Sequence, residues 1–146
     1  MNSLPDTASN AQFIAQSLDV LHREHPEAYL DLCQRMAPRQ VLIYIDGEAV
    51  RLAFTAHDAS LPSFLQYPGV TLRTSRLTLL DVIDGQLSLE RAVFEEAIEL
   101  QGHVTDLSAF YEGLSIYVRG AVRCPSFPFL LERYRRQVPR VISSPI

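Results

Sequence analysis

Apolar residues recur at helical spacing in the first quarter of the chain. Ser9-Asn10-Ala11-Gln12 has the capping-box pattern, in which a Ser hydroxyl and a Gln amide satisfy free backbone amides at a helix start. The apolar residues after it recur every three or four positions and predict a helix to about Glu24. Pro26 suits the first position of a second helix, which we expect to stop before Pro38.

Alternation of apolar and polar side chains replaces helical spacing in the middle of the chain. Residues 41–46 are β-branched and aromatic, and residues 48–56 alternate with a period of two. Asp46-Gly47 between them is a two-residue hairpin signal. The pattern predicts a β-hairpin.

Shorter elements follow the hairpin. Residues 70–74 indicate a third strand, and Ser75 or Thr78 can cap a short helix that ends at Gly85. Ser88 can cap a further helical turn.

The last third of the chain returns to helical spacing. Residues 97–101 predict a short strand closed by Gly102, and apolar positions over residues 107–118 follow the spacing of an amphipathic helix. Residues 127–134 form a final apolar helical face. Strands in the middle with helices outside predict an α+β sandwich, in which an antiparallel or mixed sheet is covered on one face.

A stretch with no regular period lies between the hairpin and the third strand. It contains four large apolar side chains, Leu61, Phe64, Leu65 and Tyr67. Such side chains in a loop must be covered by the core or by a ligand, so this loop is a candidate lid.

Composition points to one globular domain. The 146 residues are 47% hydrophobic and 21% charged, enough for a substantial core. No apolar run approaches the roughly 20 residues that cross a bilayer. The first six residues lack the basic and apolar segments of a secretory signal, so we expect a cytoplasmic protein.

Charge is divided unevenly along the chain. Residues 1–118 hold 7 Arg and 16 acidic residues, a formal charge of −9, and residues 119–146 hold 6 Arg and one acid, a charge of +5. A basic tail of this kind can contact nucleic acid or an anionic membrane, or pair with acids of its own or a second copy. The acidic body opposes a polyanion, so we expect no nucleic-acid partner.

No pattern of catalytic or metal-binding residues emerges. His22 and His25 lie three positions apart but have no further ligands nearby, and Cys33 and Cys124 fit no zinc or redox spacing. The chain has no nucleophile elbow and no glycine-rich phosphate loop. We therefore expect no enzyme, cofactor or metal.

Residues 41–117 resemble the sterol carrier protein 2 (SCP2) superfamily of small lipid-binding domains. The strand and turn at residues 41–47 are similar to that family's opening hairpin. Residues 70–85 resemble its pattern of a strand, Ser or Thr, a short leucine-rich helix and Gly. Ala92 and Phe94, followed by residues 98–102, resemble its later Ala-Phe, strand and Gly.

The resemblance implies an SCP2-like sandwich. We expect a mainly antiparallel sheet of four or five strands, covered by helices, with an extra C-terminal helix. One domain would span residues 1–146, with N-terminal helices over 1–38, the SCP2-like core over 39–118 and a basic helical extension over 119–146. An apolar tunnel between the layers would bind a sterol, fatty acyl or isoprenoid lipid without catalysis.

Bulky apolar residues of the hairpin, loop and helices are the candidate tunnel lining. They are Leu52, Phe54, Leu61, Phe64, Leu65, Phe94, Leu107, Phe110, Tyr111 and Leu114. These side chains could instead fill a solid core. In that case the domain would be an interaction or dimerisation module, accessory to a larger enzyme, that uses the apolar face of its final helix. The carrier hypothesis adds a transient contact with an anionic membrane.

Overall fold

The computed structural model describes residues 9–137, which form six helices and one sheet of five strands. The helices are α1 (Asn10–Glu24), α2 (Pro26–Met36), α3 (Arg76–Ile83), α4 (Leu89–Phe94), α5 (Val104–Ala121) and α6 (Phe127–Arg136). The strands are β1 (Gln40–Ile45), β2 (Glu48–Phe54), β3 (Ala59–Ser60), β4 (Val70–Thr74) and β5 (Glu99–Gly102). The ends of the predicted N-terminal unit and C-terminal extension, residues 1–8 and 138–146, lie outside the described residues.

Side-chain caps begin the helices where the sequence predicts them. The Ser9 hydroxyl accepts a hydrogen bond from the Gln12 amide at 3.0 Å and begins α1. Pro26 is the first residue of α2. Ser75, rather than Thr78, caps α3 by accepting a hydrogen bond from the Thr78 amide at 3.1 Å.

The sheet has the strand order β3-β2-β1-β4-β5. Asp46 and Gly47 have φ values of 51° and 87°, the positive values that a tight turn between β1 and β2 requires. β1 pairs with β4 in parallel, and the remaining neighbours are antiparallel. The fold class is confirmed as an α+β structure with a mixed, mostly antiparallel sheet of five strands.

Two details of the sheet differ from the sequence prediction. β3 has two residues, too few to show alternation, and was not predicted. β5 begins at Glu99 and not at Ala97. The chain is still turning before Glu99, because the amides of Ala97 and Ile98 both donate to the carbonyl of Ala92.

The two faces of the sheet have different surroundings. Val41, Ile43 and Ile45 of β1 are buried beneath the helices. On the opposite face Tyr44 lies beside Arg73 of β4, whose guanidinium carbon is 4.3 Å from the centre of the Tyr44 ring. The core therefore lies on one side of the sheet.

Helix α5 packs closely on α2 because two of its residues are glycines. A Cβ atom on Gly113 would lie 2.6 Å from the sulfur of Met36, and one on Gly120 would lie 2.8 Å from the Cβ of Ala28. The two glycines are two helical turns apart on one side of α5. α5 is the longest described helix, and no helix within residues 9–137 is long and apolar enough to span a membrane.

The predicted apolar face of α6 is buried against the chain's own domain. The Tyr134 ring stacks on Phe13 of α1, with ring centres 3.8 Å apart and planes within 5°. Phe127 meets Tyr117 of α5 edge to face, at 6.4 Å. Leu130 is buried in the same core.

Candidate ligand cavity between the sheet and the helices

A cavity of about 100 Å³ lies between the inner face of the sheet and the helical layer. The strands supply Val41, Ile43, Ile45, Leu52, Phe54, Leu72 and Thr74. The helices and the segment before β5 supply Phe13, Ile14, Leu18, Leu32, Met36, Leu79, Val82, Ile83, Ile98, Phe110, Gly113, Leu114 and Tyr117. All described helices and strands except β3, β5, α4 and α6 thus contribute to the wall.

The lining presents almost pure hydrocarbon. The two hydroxyl groups of the lining both donate hydrogen bonds to other protein groups. Thr74 donates to the carbonyl of Ala97 at 3.1 Å, and Tyr117 donates to the Ser17 hydroxyl at 2.8 Å. Burial raises the pKa of Tyr117 to about 12, so the phenol is neutral at physiological pH. No charged side chain is among the lining residues, and an apolar cavity of this kind excludes water.

The cavity is larger than ordinary packing leaves. Protein interiors contain few voids bigger than one water molecule. At about 24 cal/mol for each Å³, an empty space of this size costs on the order of 2 kcal/mol of folding free energy. Side-chain atoms that filled this space would therefore be expected to stabilise the fold.

The cavity approaches the surface along one edge. Thr74, Leu79, Leu114 and Tyr117 are half-buried, whereas the other lining residues are buried. Leu79 belongs to α3, and Leu114 and Tyr117 belong to α5. In the described part of the chain α3 packs on α4 and not closely on α5, so the gap between α3 and α5 is the accessible edge.

The structure places four of the ten predicted residues in the wall. Leu52 and Phe54 of β2 and Phe110 and Leu114 of α5 line the cavity. The other six lie elsewhere: Leu61, Phe64, Leu65, Phe94, Leu107 and Tyr111.

The predicted lid loop is not part of the wall. Phe64 is 70% exposed, and Leu61 and Leu65 are half-buried outside the lining. The loop is attached to β1 instead, because the amides of Tyr67 and Gly69 donate to the side chain and the carbonyl of Gln40.

The other three predicted residues also lie outside the cavity lining. Phe94 at the end of α4 is 87% exposed, and Leu107 packs against the core from outside the cavity. Tyr111 faces α4, where its hydroxyl donates to Glu90. That hydrogen bond raises the pKa of Tyr111 and lowers the pKa of Glu90.

The N-terminal helices contribute to the cavity wall, which the sequence did not predict. α1 and α2 supply five lining residues, among them Phe13 and Met36. The apolar stripes of α1 and α2 predicted that one face of each helix is buried, but not which part of the sheet each helix covers. The available signal was the stripe itself, since an amphipathic helix beside a one-sided sheet must cover its apolar face.

The remaining candidate groups are engaged in structural contacts. The His22 ring stacks on Tyr29 at 4.2 Å, and Nδ1 of His25 accepts a hydrogen bond from the Ala28 amide at the start of α2. Cys33 and Cys124 are free and buried, and burial raises the pKa of both thiols. Within residues 9–137 no three His, Cys, Asp or Glu side chains are grouped as a metal site.

Solved structures share this architecture, although no protein-family model and no curated protein matches the sequence. The UbiJ-SCP2 ubiquinone synthesis protein is 15% identical, with 70% of this chain and 90% of that chain aligned at a TM-score of 0.55. The sterol carrier protein domain 2 of Helicoverpa armigera is 15% identical, with coverages of 80% and 95% and a TM-score of 0.55. Apo sterol carrier protein 2 of Yarrowia lipolytica is 13% identical, with coverages of 79% and 97% and a TM-score of 0.54. At these identities the likeness shows the fold, and the chain has the SCP2 fold.

Proposed function

From the SCP2 fold and its apolar cavity, we propose that this protein binds an apolar ligand, a sterol, fatty acyl or isoprenoid lipid, and carries it without catalysis. The cavity between sheet and helices is the observation that supports this function. Its hydrocarbon wall provides affinity through burial, at about 25 cal/mol for each Å² of apolar surface. It offers no group with the pKa of a general acid or base. The absence of catalysis and the cytoplasmic location are predictions from the sequence.

The half-buried edge supports one orientation for a ligand with one polar end. Thr74, Leu79 and Leu114 stand where the cavity approaches solvent between α3 and α5, whereas the Tyr117 hydroxyl points inward to the buried Ser17. A lipid with a polar head would therefore place its tail under the sheet and its head at this edge. Burying the head instead would leave its polar atoms without partners.

The most direct test is analysis of what the protein holds. Protein purified without detergent is extracted with organic solvent and the extract is examined by mass spectrometry, while stripped protein is titrated with a fluorescent acyl or sterol probe. We expect a co-purifying lipid and saturable probe binding. No lipid together with no saturable binding overturns the proposed function.

A matched pair of variants tests the location of the ligand. Leu79 lines the cavity, whereas Leu77 on the same helix is 61% exposed. Leu79→Trp should lower probe affinity by tenfold or more, because the indole occupies ligand space, and Leu77→Trp should leave the affinity unchanged. Equal affinities in the two variants would place the ligand elsewhere.

The second candidate is the interaction or dimerisation module with a filled cavity. It needs the apolar face of α6 to be free, but Phe127, Leu130 and Tyr134 are buried within their own domain. These contacts and the open cavity favour the carrier. Sedimentation velocity distinguishes the two, because the module requires a stable dimer that dissociates when residues 125–146 are deleted.

We also propose that the outer face of α6 contacts an anionic lipid surface. Phe129 is 77% exposed, and Arg133 and Arg136 follow it at helical spacing on the same face. Glu132 also lies on this face and pairs with Arg136 at 3.3 Å, so within residues 9–137 Arg133 is its unneutralised charge. An aromatic side chain among arginines is the pattern of an interfacial helix, and each basic residue adds about 1 kcal/mol near anionic lipid. Co-sedimentation with phosphatidylglycerol vesicles should fall with rising salt and with Phe129→Ser. Equal binding to pure phosphatidylcholine vesicles contradicts this role.

A further inference from the structure

Helix α6 crosses three of the helices that form the cavity wall. At its start Phe127 touches Tyr117 of α5, and near its end Tyr134 stacks on Phe13 of α1. Arg135 then forms an ion pair with Asp84, the residue that ends α3. The helix thus joins α5, α1 and α3 from outside.

Two of these contacts reach the wall itself. Phe13 and Tyr117 line the cavity, and α6 packs on both without lining it. α6 also joins the two helices whose gap is the accessible edge, since it is attached to α5 at one end and to α3 at the other. α6 therefore links these two helices from outside the cavity.

The C-terminal end of α6 is held by a buried polar cluster. Oδ1 of Asn10 accepts hydrogen bonds from the Tyr134 hydroxyl at 2.5 Å and from Nε of Arg76 at 2.9 Å. Nη1 of Arg76 donates to the carbonyl of Gln137 at 2.8 Å, just after α6. The guanidinium carbon also lies 4.7 Å from the centre of the Tyr134 ring.

The guanidinium of Arg76 in this cluster has hydrogen bonds but no direct ion pair within residues 9–137. Asn10 and Arg76 are buried, yet no carboxylate among residues 9–137 forms an ion pair with the Arg76 guanidinium. The carboxylates of the cluster bind neighbouring groups instead, since Asp46 accepts from the backbone amide of Arg76 at 3.1 Å and Glu48 accepts from Nδ2 of Asn10 at 2.9 Å. Because burying a guanidinium without a direct ion pair is costly, hydration of Arg76 would offset part of the contact energy lost when α6 moves away. The end of α6 is therefore less firmly held than its buried aromatic residues alone indicate.

The beginning of α6 has a separate attachment. The Glu24 carboxylate accepts hydrogen bonds from the amide of Ser126, at 2.9 Å, and from its hydroxyl. These bonds hold the turn between α5 and α6 to the end of α1. Movement of α6 would then pivot about this turn and free its C-terminal end first.

The cavity as it stands in this structure is too small for the proposed ligand as a whole. A cavity of about 150 Å³ holds a molecule the size of benzene, and this one measures about 100 Å³. A sterol or long acyl chain needs the walls to separate. Building on the proposed function, we propose that α6 is a strap whose C-terminal end undocks from α1 and α3 to open the cavity between α3 and α5.

A reversible crosslink tests the strap. Gln16 of α1 and Arg133 of α6 are exposed, with Nη2 of Arg133 3.3 Å from Oε1 of Gln16. In a Gln16→Cys, Arg133→Cys protein, a disulfide-containing bifunctional thiol reagent should slow exchange of the bound probe at least tenfold. Reducing the linker should restore the rate, and Gln16→Cys alone treated with the reagent should show no slowing. Equal rates with the linker intact and cleaved overturn the strap.

A second variant tests the strap without any ligand. Tyr134→Phe keeps the ring on Phe13 but removes the hydrogen bond to Asn10, a loss worth about fivefold in the docking equilibrium. Amide hydrogen exchange over α6 should accelerate by about that factor while exchange over α5 stays constant. Tyr44→Phe, on the outer face of the sheet, is the matched control. Unchanged exchange over α6 overturns the strap, whereas loss of all probe binding in the unaltered protein overturns only the proposed function.

Discussion

At the scale of single residues, the contact between α2 and α5 is limited by the two glycines of α5. A Cβ atom at position 120 would meet the Cβ of Ala28, which cannot move without its backbone. A Cβ atom at position 113 would meet the sulfur of Met36, near the end of a flexible side chain. The two sites therefore differ in how they can absorb the same added methyl group.

We expect Gly120→Ala to lower the free energy of unfolding by about 1–3 kcal/mol, because α2 and α5 must separate to accept the methyl group. Gly113→Ala should cost less, since Met36 can rotate, but it should weaken probe binding because Met36 lines the cavity. Urea denaturation and probe titration measure the two effects. A larger stability loss for Gly113→Ala would contradict this account.

Residue positions were predictable where the chain has a period. Leu52 and Phe54 were assigned to the cavity because alternation places them on one face of β2, and they line it. Phe64 lies in a loop with no period, so its size alone could not show which way it points. The pairing of Asn10 with Arg76 joins residues far apart in sequence, and no local pattern marks it.

At the scale of elements, α6 depends on the carboxylate at the end of α1. Hydrogen bonds from the hydroxyl and amide of Ser126 hold the pKa of Glu24 below its usual value of 4.5. A carboxyl group with a lowered pKa in the folded state stabilises the fold above pH 4.5. That contribution is lost as the pH falls through the lowered value.

The Glu24→Gln variant should therefore be less stable than the unaltered protein at pH 7, and the difference should shrink below pH 4.5. Thermal unfolding across this pH range measures it. Asp19→Asn is a matched control, because Asp19 forms an exposed ion pair with Arg23 on α1. We expect it to lower stability at pH 7 by less than Glu24→Gln does. A stability difference between Glu24→Gln and the unaltered protein that stays constant with pH would show that ionisation of Glu24 is not the cause.

Elements set by local signals were predicted well, and those set by distant partners were not. Caps and the turn at Asp46-Gly47 depend on neighbouring residues, so the starts of α1, α2 and α3 and the hairpin agree with the structure. The two residues of β3 are a strand only because they pair with β2. The parallel pairing of β1 with β4 likewise depends on the whole sheet, and the sequence left it open.

At the scale of the whole molecule, the division of charge corresponds to a division of roles. Arg135 pairs with Asp84 of the acidic body, so part of the basic tail holds α6 in place. Phe129 and Arg136 remain on the outer face. An anionic surface that attracts this face competes with the intramolecular pairing of Arg135, which would couple membrane contact to opening of the strap.

A cavity retained for a ligand predicts opposite changes in stability and binding when it is filled. Val82→Ile adds one methyl group to a lining residue, and burial of that group should raise the free energy of unfolding of the ligand-free protein by up to about 1 kcal/mol. The same variant should bind the probe more weakly. Val50→Ile, in a fully buried position that does not line the cavity, should instead lower stability because the added methyl group must displace packed neighbours. If Val82→Ile lost stability as Val50→Ile does, the cavity would not be the open space on which the carrier function depends. A gain in stability together with weaker probe binding would show that the chain keeps this space for a ligand.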